Sequence, residues 1–394
     1  MTRLVLVGAG HAHAEVIREQ ARRRRDAGRL HIVLVSPHHT APYSGMMPGW
    51  LAGHYDWDEC CVDFARLCER SGATLVLDTA TGIDTARSQV MLASGRRLDF
   101  DYLSLDIGST SHPPAAEGLL TLPMRPLDHL KQRWNQLLDI VARLPGGAPF
   151  RLLMIGGGAA GVESVLAAQY RLTRLAPGRN LRFSLATQGA ELIPGQSRIA
   201  ARLLQKQLEQ RGIAIHFGFS ADRMEHGRVI SDSGETIRTD AVLWATGAQA
   251  HAWPKESGLE VDVKGFIRVD RTLRSRSHPA IFAAGDCAAW EPQLPKAGVY
   301  AVRMGPVLAR NLFAVAEGRP LETFQPQRRH LVLIGTGASH AVASWSVLGW
   351  QGGWVWRWKQ RIDRRFIERH NGAGNLTRDA VKEKPCQRQH GTEP

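Results

Sequence analysis

Two stretches of the chain repeat one pattern of apolar run, glycines and helical run. Residues 4–16, "LVLVGAGHAHAEV", and 152–164, "LLMIGGGAAGVES", each set a strand-like apolar run before close-spaced glycines and a helix-compatible run after them. In register, Gly8 falls on Gly156, Gly10 on Gly158 and Glu15 on Glu163. A second strand candidate follows each, "LHIVLVS" ending at Ser36 and "LRFSLAT" ending at Thr187. Further on, 90–108 and 229–247 share Val, Ser-Gly, Asp and a final glycine at the same spacing, with Ser-Gly as the turn between alternating strands. Each half therefore reads βαβ, a β-ribbon, and a returning strand that ends in glycine, at Gly108 and Gly247. The expected fold is α/β: two Rossmann-like three-layer (ββα) dinucleotide-binding domains, with a small α+β segment at the C-terminal end.

The glycines allow a tight strand-to-helix turn and close backbone approach, and the helix N-terminus receives a pyrophosphate. The second loop carries the full set, Gly156, Gly158 and Gly161. The first has His13 in the third place, with His11 two residues before it. Two residues apart at a helix start, these histidines share no helical face, and no Cys or Asp pattern completes a site, so a metal is not expected. His13 must push helix and strand apart or turn its ring toward the loop, to a phosphate or a backbone carbonyl. His11 is expected as a neutral donor, because the helix dipole opposes positive charge there. A third landmark is "IFAAGDCAA" (281–289), an apolar strand that ends in Gly285-Asp286.

Two dinucleotide folds, the Ala245-Thr246-Gly247 turn and the late Gly-Asp together resemble the pyridine nucleotide-disulfide oxidoreductase superfamily over roughly residues 1–318. "GAGHAHAEV", "PYSGMMPGWLAGHY", "KAGVYAVRMGPVLARNL" and "SWSVLGWQGGWVWRWKQRIDRRF" are similar, more narrowly, to the type II NADH dehydrogenase-like flavoprotein module found fused to selenide, water dikinase. The resemblance implies FAD in the first domain (1–124 and 265–318) and NADH or NADPH in a second domain inserted in it (125–264). It implies an FAD site of Gly8, Gly10, His11, His13, Ser36, Pro37, Pro42, Ser44, Gly108, Gly285, Asp286, Ala297 and Gly298. Asp286 would take ribityl hydroxyls, the "PYSGMMPGW" stretch (42–50) would run along the flavin, and the helix after Ala297 would point its N-terminus at the pyrimidine edge. Lys296 is either a catalytic charge beside the flavin or a solvated loop lysine. The nicotinamide site would comprise Gly156, Gly158, Gly161, Glu163, Thr187 and Gly247. The acidic residue that usually binds the adenosine ribose is replaced by Ser36 in the first half. Thr187-Gln188 stands there in the second, which leaves NADH against NADPH open.

The five cysteines include no pair two or four residues apart of the kind disulfide reductases place at the flavin, and none lies between 69 and 286. The expected reaction is hydride transfer from nicotinamide to flavin, with electrons passed to a quinone or similar acceptor. The other reading is a flavin-bearing partner module linked to selenium metabolism. The paired glutamines that type II enzymes carry after Gly-Asp are represented here by Gly298 and Met304.

The net charge of +13 comes without any nucleic-acid signature, and nucleic acid is not an expected partner. No secretory signal opens the chain and no run of 18 apolar residues occurs, so a cytoplasmic chain is expected. In 319–371, "WVWRWKQRIDRRFIERH" (354–370) puts Trp354, Val355, Trp358, Ile362 and Phe366 on one side of a helix, beside Arg357, Arg361 and Arg364. That stripe suits the inner face of the cytoplasmic membrane, packing on its own domain, or a homodimer contact equally. Residues 372–394 are polar and expected to be disordered.

Overall fold

A computed structural model describes residues 1–23, 30–114, 118–327 and 329–372. Strands β1 (Thr2–Val7) and β2 (Leu30–Ser36) are almost wholly buried, as a parallel sheet covered on both faces requires. Helix α1 (His11–Arg23) connects them, and β3 (Thr74–Leu77) and β4 (Tyr102–Leu105) extend the sheet. An antiparallel ribbon of Ala80–Asp84, Gln89–Leu92 and Arg97–Asp99 leads into β4.

The second half repeats this plan with β5 (Leu120–Pro123), β6 (Phe150–Ile155), α2 (Ala159–Leu175), β7 (Leu181–Thr187) and β8 (Ile213–Phe217). A ribbon of Ala221–Glu225, Arg228–Ser231 and Thr236–Arg238 then leads into β9 (Ala241–Trp244). The chain returns to the first sheet with β10 (Ile281–Ala283), followed by α3 (Gly298–Ala316). The parallel orders are β10-β4-β1-β2-β3 and β5-β9-β6-β7-β8, so the two sheets correspond strand for strand. Register agrees too: Val7 faces Leu105 as Ile155 faces Trp244. The second sheet starts at Leu120, ahead of the boundary expected at 124/125. Its edge strand comes just before it in sequence, whereas the first sheet gains the matching edge only when the chain returns.

Close approach fixes α3 on α1: a Cβ on Gly305 would lie 3.0 Å from the Cβ of Glu15. The C-terminal segment forms an antiparallel sheet, β11 (Val332–Gly335), β12 (Ala341–Trp345) and β13 (Leu348–Gly352), then helix α4 (Gly353–Asn371). The stripe read along α4 divides. Val355 is buried with Asp363, Ile367 and His370, while Trp354, Trp358 and Ile362 are 52%, 36% and 41% exposed. The inward face is chosen by the polar residues Lys359 and Asp363, which find partners inside and carry the helix round with them. Among the described residues no helix is long and apolar enough to cross a membrane. The tail from 373 on lies outside the described residues.

Candidate functional site

The two glycine loops are wired alike at their first glycine. Gly8 N–H donates to Val35 O at 2.9 Å and Gly156 N–H to Ala186 O at 2.8 Å. Both take positive φ, +98° and +123°, with the backbone of Asp106 or Ala245 where a side chain would point. In the second loop Gly161 is obligatory, because a Cβ there would run into Gly156 O. Gly158 faces open space, and α2 begins with no side-chain cap. An uncapped helix start behind a clear glycine is a ready anion cradle. Thr187 is buried at the end of β7, and Gly247 is exposed after β9.

The first loop is furnished differently. His13 is fully buried, and its Nδ1 lies 2.7 Å from Gly8 O and its Nε2 2.9 Å from Ser104 Oγ. Both ring nitrogens are therefore engaged, and the ring is a brace between loop and sheet rather than a phosphate donor. Burial lowers its pKa to about 4, as it does for His11, so both are neutral at pH 7. His11 Nε2 lies 3.4 Å from Ser44 Oγ, beside Gly298 at the start of α3. The space that stands open over Gly158 is filled over Gly10 by the carboxyl of Asp106. Asp106 Oδ2 accepts from Ala12 N–H at 2.8 Å and His13 N–H at 3.2 Å.

Gly285 and Asp286 follow β10 beside this loop, and a Cβ on Gly285 would meet Asp106 Oδ1 at 2.5 Å. Asp286 pairs with Arg125 at 3.0 Å and accepts from Ser109 Oγ at 3.2 Å. Arg125 also donates to Lys296 O at 3.2 Å, tying this corner to the approach of α3. Lys296 is half-buried and engaged by its neighbours. Its Nζ donates to Ala288 O at 2.6 Å and lies 3.8 Å from the centre of the Phe266 ring, and burial lowers its pKa. Ala297 precedes α3 without a side-chain cap, which leaves amides at Gly298 and beyond for a ligand. Ser36 turns its hydroxyl to His38 O at 3.0 Å, closing its own turn instead of reaching for a ribose, and Pro37 beside it is exposed. Pro42 is buried, Ser44 is exposed, and Gly108 (φ +67°) has open space around its Cβ direction.

The glycine approach, the uncapped α3 and the polar Asp286–Arg125 corner fit a flavin dinucleotide held by the first half. The bare second loop fits a nicotinamide dinucleotide. No described group of three or more His, Cys, Asp or Glu is arranged to hold a metal.

One cluster lies outside both loops. Glu163, expected at the nicotinamide, turns its side chain to the C-terminal segment instead: Oε1 accepts from Gly335 N–H at 2.7 Å and lies 3.7 Å from Lys359 Nζ. Lys359 also donates to Asp363 at 3.0 Å and to Gly45 O at 2.7 Å. Gly45, Pro48, Gly49, Tyr55, Glu163 and Lys359 line a narrow cleft at this point. Burial raises Glu163 to about 7 against the pull of Lys359, and it raises Asp363 as well. Lys359 is raised despite burial by its two carboxylates. The cleft thus holds a carboxyl whose burial favours the protonated form. Glu15, the repeat counterpart of Glu163, also meets α4, through His370 at 3.6 Å.

Sequence reading missed Asp106, Arg125 and the pair Lys359–Asp363. Asp106 was readable, since the repeat sets it opposite Ala245. So was the pair, because Val355, Lys359, Asp363 and Ile367 recur every fourth residue. Nothing in the sequence around Arg125 marks it.

Over residues 2–305 the sequence matches the family described as pyridine nucleotide-disulphide oxidoreductase. It is 26% identical over 267 residues to the type II NADH:quinone oxidoreductase of Haemophilus influenzae, covering 60% of each chain. It is 25% identical over 300 residues to an NADH dehydrogenase-like protein of Mycobacterium tuberculosis, covering 73% of each. The chain therefore spans 60% of the length of the Haemophilus relative. The sulfide:quinone oxidoreductase of Aquifex aeolicus superposes with a TM-score of 0.79 at 18% identity, over 94% of this chain and 92% of that one. NDH2 of Plasmodium falciparum gives 0.75 at 13% identity, over 97% and 100%. At these identities the structural likeness is one of fold.

Proposed function

The chain belongs to the pyridine nucleotide-disulphide oxidoreductase family, and from that premise we propose that it is an FAD-dependent NAD(P)H oxidoreductase whose electrons go to a quinone. The observation that carries the reading is the pair of like-wired glycine loops, one on each of two corresponding parallel sheets. Bound FAD would accept a hydride from the nicotinamide and release electrons singly or in pairs. The protein's part is placement. The amides at the start of α3 would favour negative charge on a bound flavin, and Asp286 with Arg125 would hold its polar chain.

The described cysteines support a route without a thiol relay. Cys60, Cys68 and Cys287 are buried and form no disulfide among the described residues, and burial raises the thiols of Cys68 and Cys287 to about 12. Quinone as acceptor draws on the names of the relatives from Haemophilus and from Arabidopsis thaliana, the latter an alternative NAD(P)H-ubiquinone oxidoreductase 24% identical over 338 residues. Quinone reduction takes up protons, and burial of Glu163 at the cleft against Gly45 favours its protonated form. Trp345, Val347 and Leu348 around the β12–β13 turn and Trp354, Trp358 and Ile362 on α4 are exposed, and Arg357, Arg361 and Arg365 are exposed along the same helix. The α4 face of exposed tryptophans and arginines suits peripheral contact with an anionic lipid face, the source of such an acceptor.

Anaerobic titration with each nicotinamide tests the reading. The flavin should bleach with NADH or NADPH and reoxidise faster with added quinone than with oxygen. A flavin that neither nucleotide reduces would overturn it.

A further inference from the structure

Asp106 is a carboxyl at a position where the chain's own second copy has Ala245. Its side chain lies over Gly10 and against Gly285, and its Oδ2 accepts from the amides of Ala12 and His13 at 2.8 and 3.2 Å. Those amides are what a helix start offers to an anion. In the second loop the matching space over Gly158 is clear. The first loop therefore carries its own anion where the second leaves room for a ligand's.

The surroundings of Asp106 make its charge conditional. It is 4% exposed, and burial raises its pKa to about 7 against the pull of the two amides, with Asp286 adding repulsion. From α1 it also meets His13, whose ring is engaged with Gly8 and Ser104 and held neutral. From the turn after β10 it meets Asp286, already paired with Arg125, and the Cys287 thiol, raised to about 12. Lys296, on the approach to α3, is engaged with Ala288 O. Among the described residues no cation is paired with Asp106. A diphosphate brought to these amides would face a like charge if Asp106 were ionised, and a hydroxyl donor if it were protonated.

We propose that Asp106 is a proton-dependent latch on the first nucleotide loop: as the neutral acid it bridges the α1 amides to the diphosphate of the dinucleotide, and as the carboxylate it takes those amides for itself. The latch rests on the reading of the first half as the FAD site. Binding then takes up a proton, and the flavin loosens as pH rises. Asn at this position would keep the amides on Oδ1 and offer Nδ2–H to the diphosphate at every pH. Ala would copy the second loop and remove the latch.

The test is the FAD dissociation constant of the full chain, read by recovery of free-flavin fluorescence from about pH 5.5 to about 8.5, which brackets the carboxyl. Circular dichroism checks the fold of each variant. The wild-type constant should rise toward about tenfold per pH unit above the carboxyl's pKa. Asp106→Asn should stay within about twofold across the range, since its amide does not titrate there. Asp106→Ala should also give a flat profile, which keeps the test decisive if the Asn variant does not fold. A flat wild-type profile, or a folded variant that keeps the wild-type slope, overturns the latch and leaves the FAD site standing. A folded protein that binds no FAD at any pH overturns the FAD reading and the latch together.

Discussion

The first and second glycine loops begin from the same hydrogen bonds and end with different equipment. At Gly8 and Gly156 the main chain makes equivalent bonds, and both glycines take positive φ. Past that point the second loop is bare: Gly161 lets its helix close on the strand, Gly158 looks into open space, and α2 has no side-chain cap. The first loop has a bracing histidine for the third glycine and a carboxylate at the helix start. A bare loop loses little when its ligand leaves, because its amides return to water. A furnished loop exchanges one internal partner for another, and its affinity depends on the state of that partner. On the proposed function the bare loop serves the co-substrate that comes and goes, and the furnished one the resident flavin.

The same contrast extends to the repeat-equivalent glutamates. Burial raises Glu163 to about 7, whereas Glu15, despite partial burial, is lowered to about 2 by the nearby His370 and the hydrogen-bonded Arg18. The folded protein binds a proton on Glu163 more tightly than the unfolded chain does. Its contribution to stability is therefore full below the ordinary carboxylate range and drains as pH rises through 7. Glu15 runs the other way, with a contribution present above the ordinary range and lost as pH falls toward 2.

The largest effect is expected from breaking the bare loop. Gly161→Val should cut nicotinamide-driven flavin reduction by about a hundredfold or more, since the helix can no longer close on the strand. The flavin spectrum should remain, and loss of flavin from this variant would contradict the division of labour. Lys359→Met comes next, leaving two buried carboxyls without their cation. It should cost about 3 kcal/mol in urea unfolding at pH 8, and less near pH 5.5 where Glu163 is protonated. A pH-independent cost would show that Glu163 is not held near neutrality. His13→Ala orphans Ser104 Oγ and Gly8 O and should cost about 2 kcal/mol by thermal melting of the flavin-free protein. Smallest is Glu15→Gln, about 1 kcal/mol at pH 7, vanishing in acid. Glu163→Gln should show the opposite trend, a gain that grows with pH.

Much of the fold was legible in the sequence because its chief signals are local. Apolar runs ahead of glycines, a Ser-Gly turn at equal spacing and a late Gly-Asp need only neighbours along the chain to take effect. The repeat showed His13 against Gly161, and it also sets Asp106, which that reading passed over, against Ala245. Direction was the part that local pattern did not hold. Glu163 sits in a phosphate-loop motif, yet its side chain leaves that loop for Gly335 and Lys359. Ser36 stands where a ribose ligand belongs and closes on His38. On α4 the apolar stripe was visible, but buried pairing of Lys359 and Asp363 decided which face turned inward. Each outcome depends on a partner remote in sequence, and a periodicity carries no record of such partners.

Helix α4 reaches Glu163 and Gly45 through Lys359 near its start, and Glu15, Cys61 and Asp63 through His370 and Asn371 at its end. Both nucleotide halves are complete by residue 316, and this helix follows at 353–371. During synthesis the halves can thus each condense and meet through Leu51, Ala52 and the Arg125–Asp286 pair before one late-emerging rod engages both and clamps them. A ribosome-bound chain lacking α4 should contain two folded lobes in loose association. The clamp between the two halves is then added at the last step of maturation rather than the first.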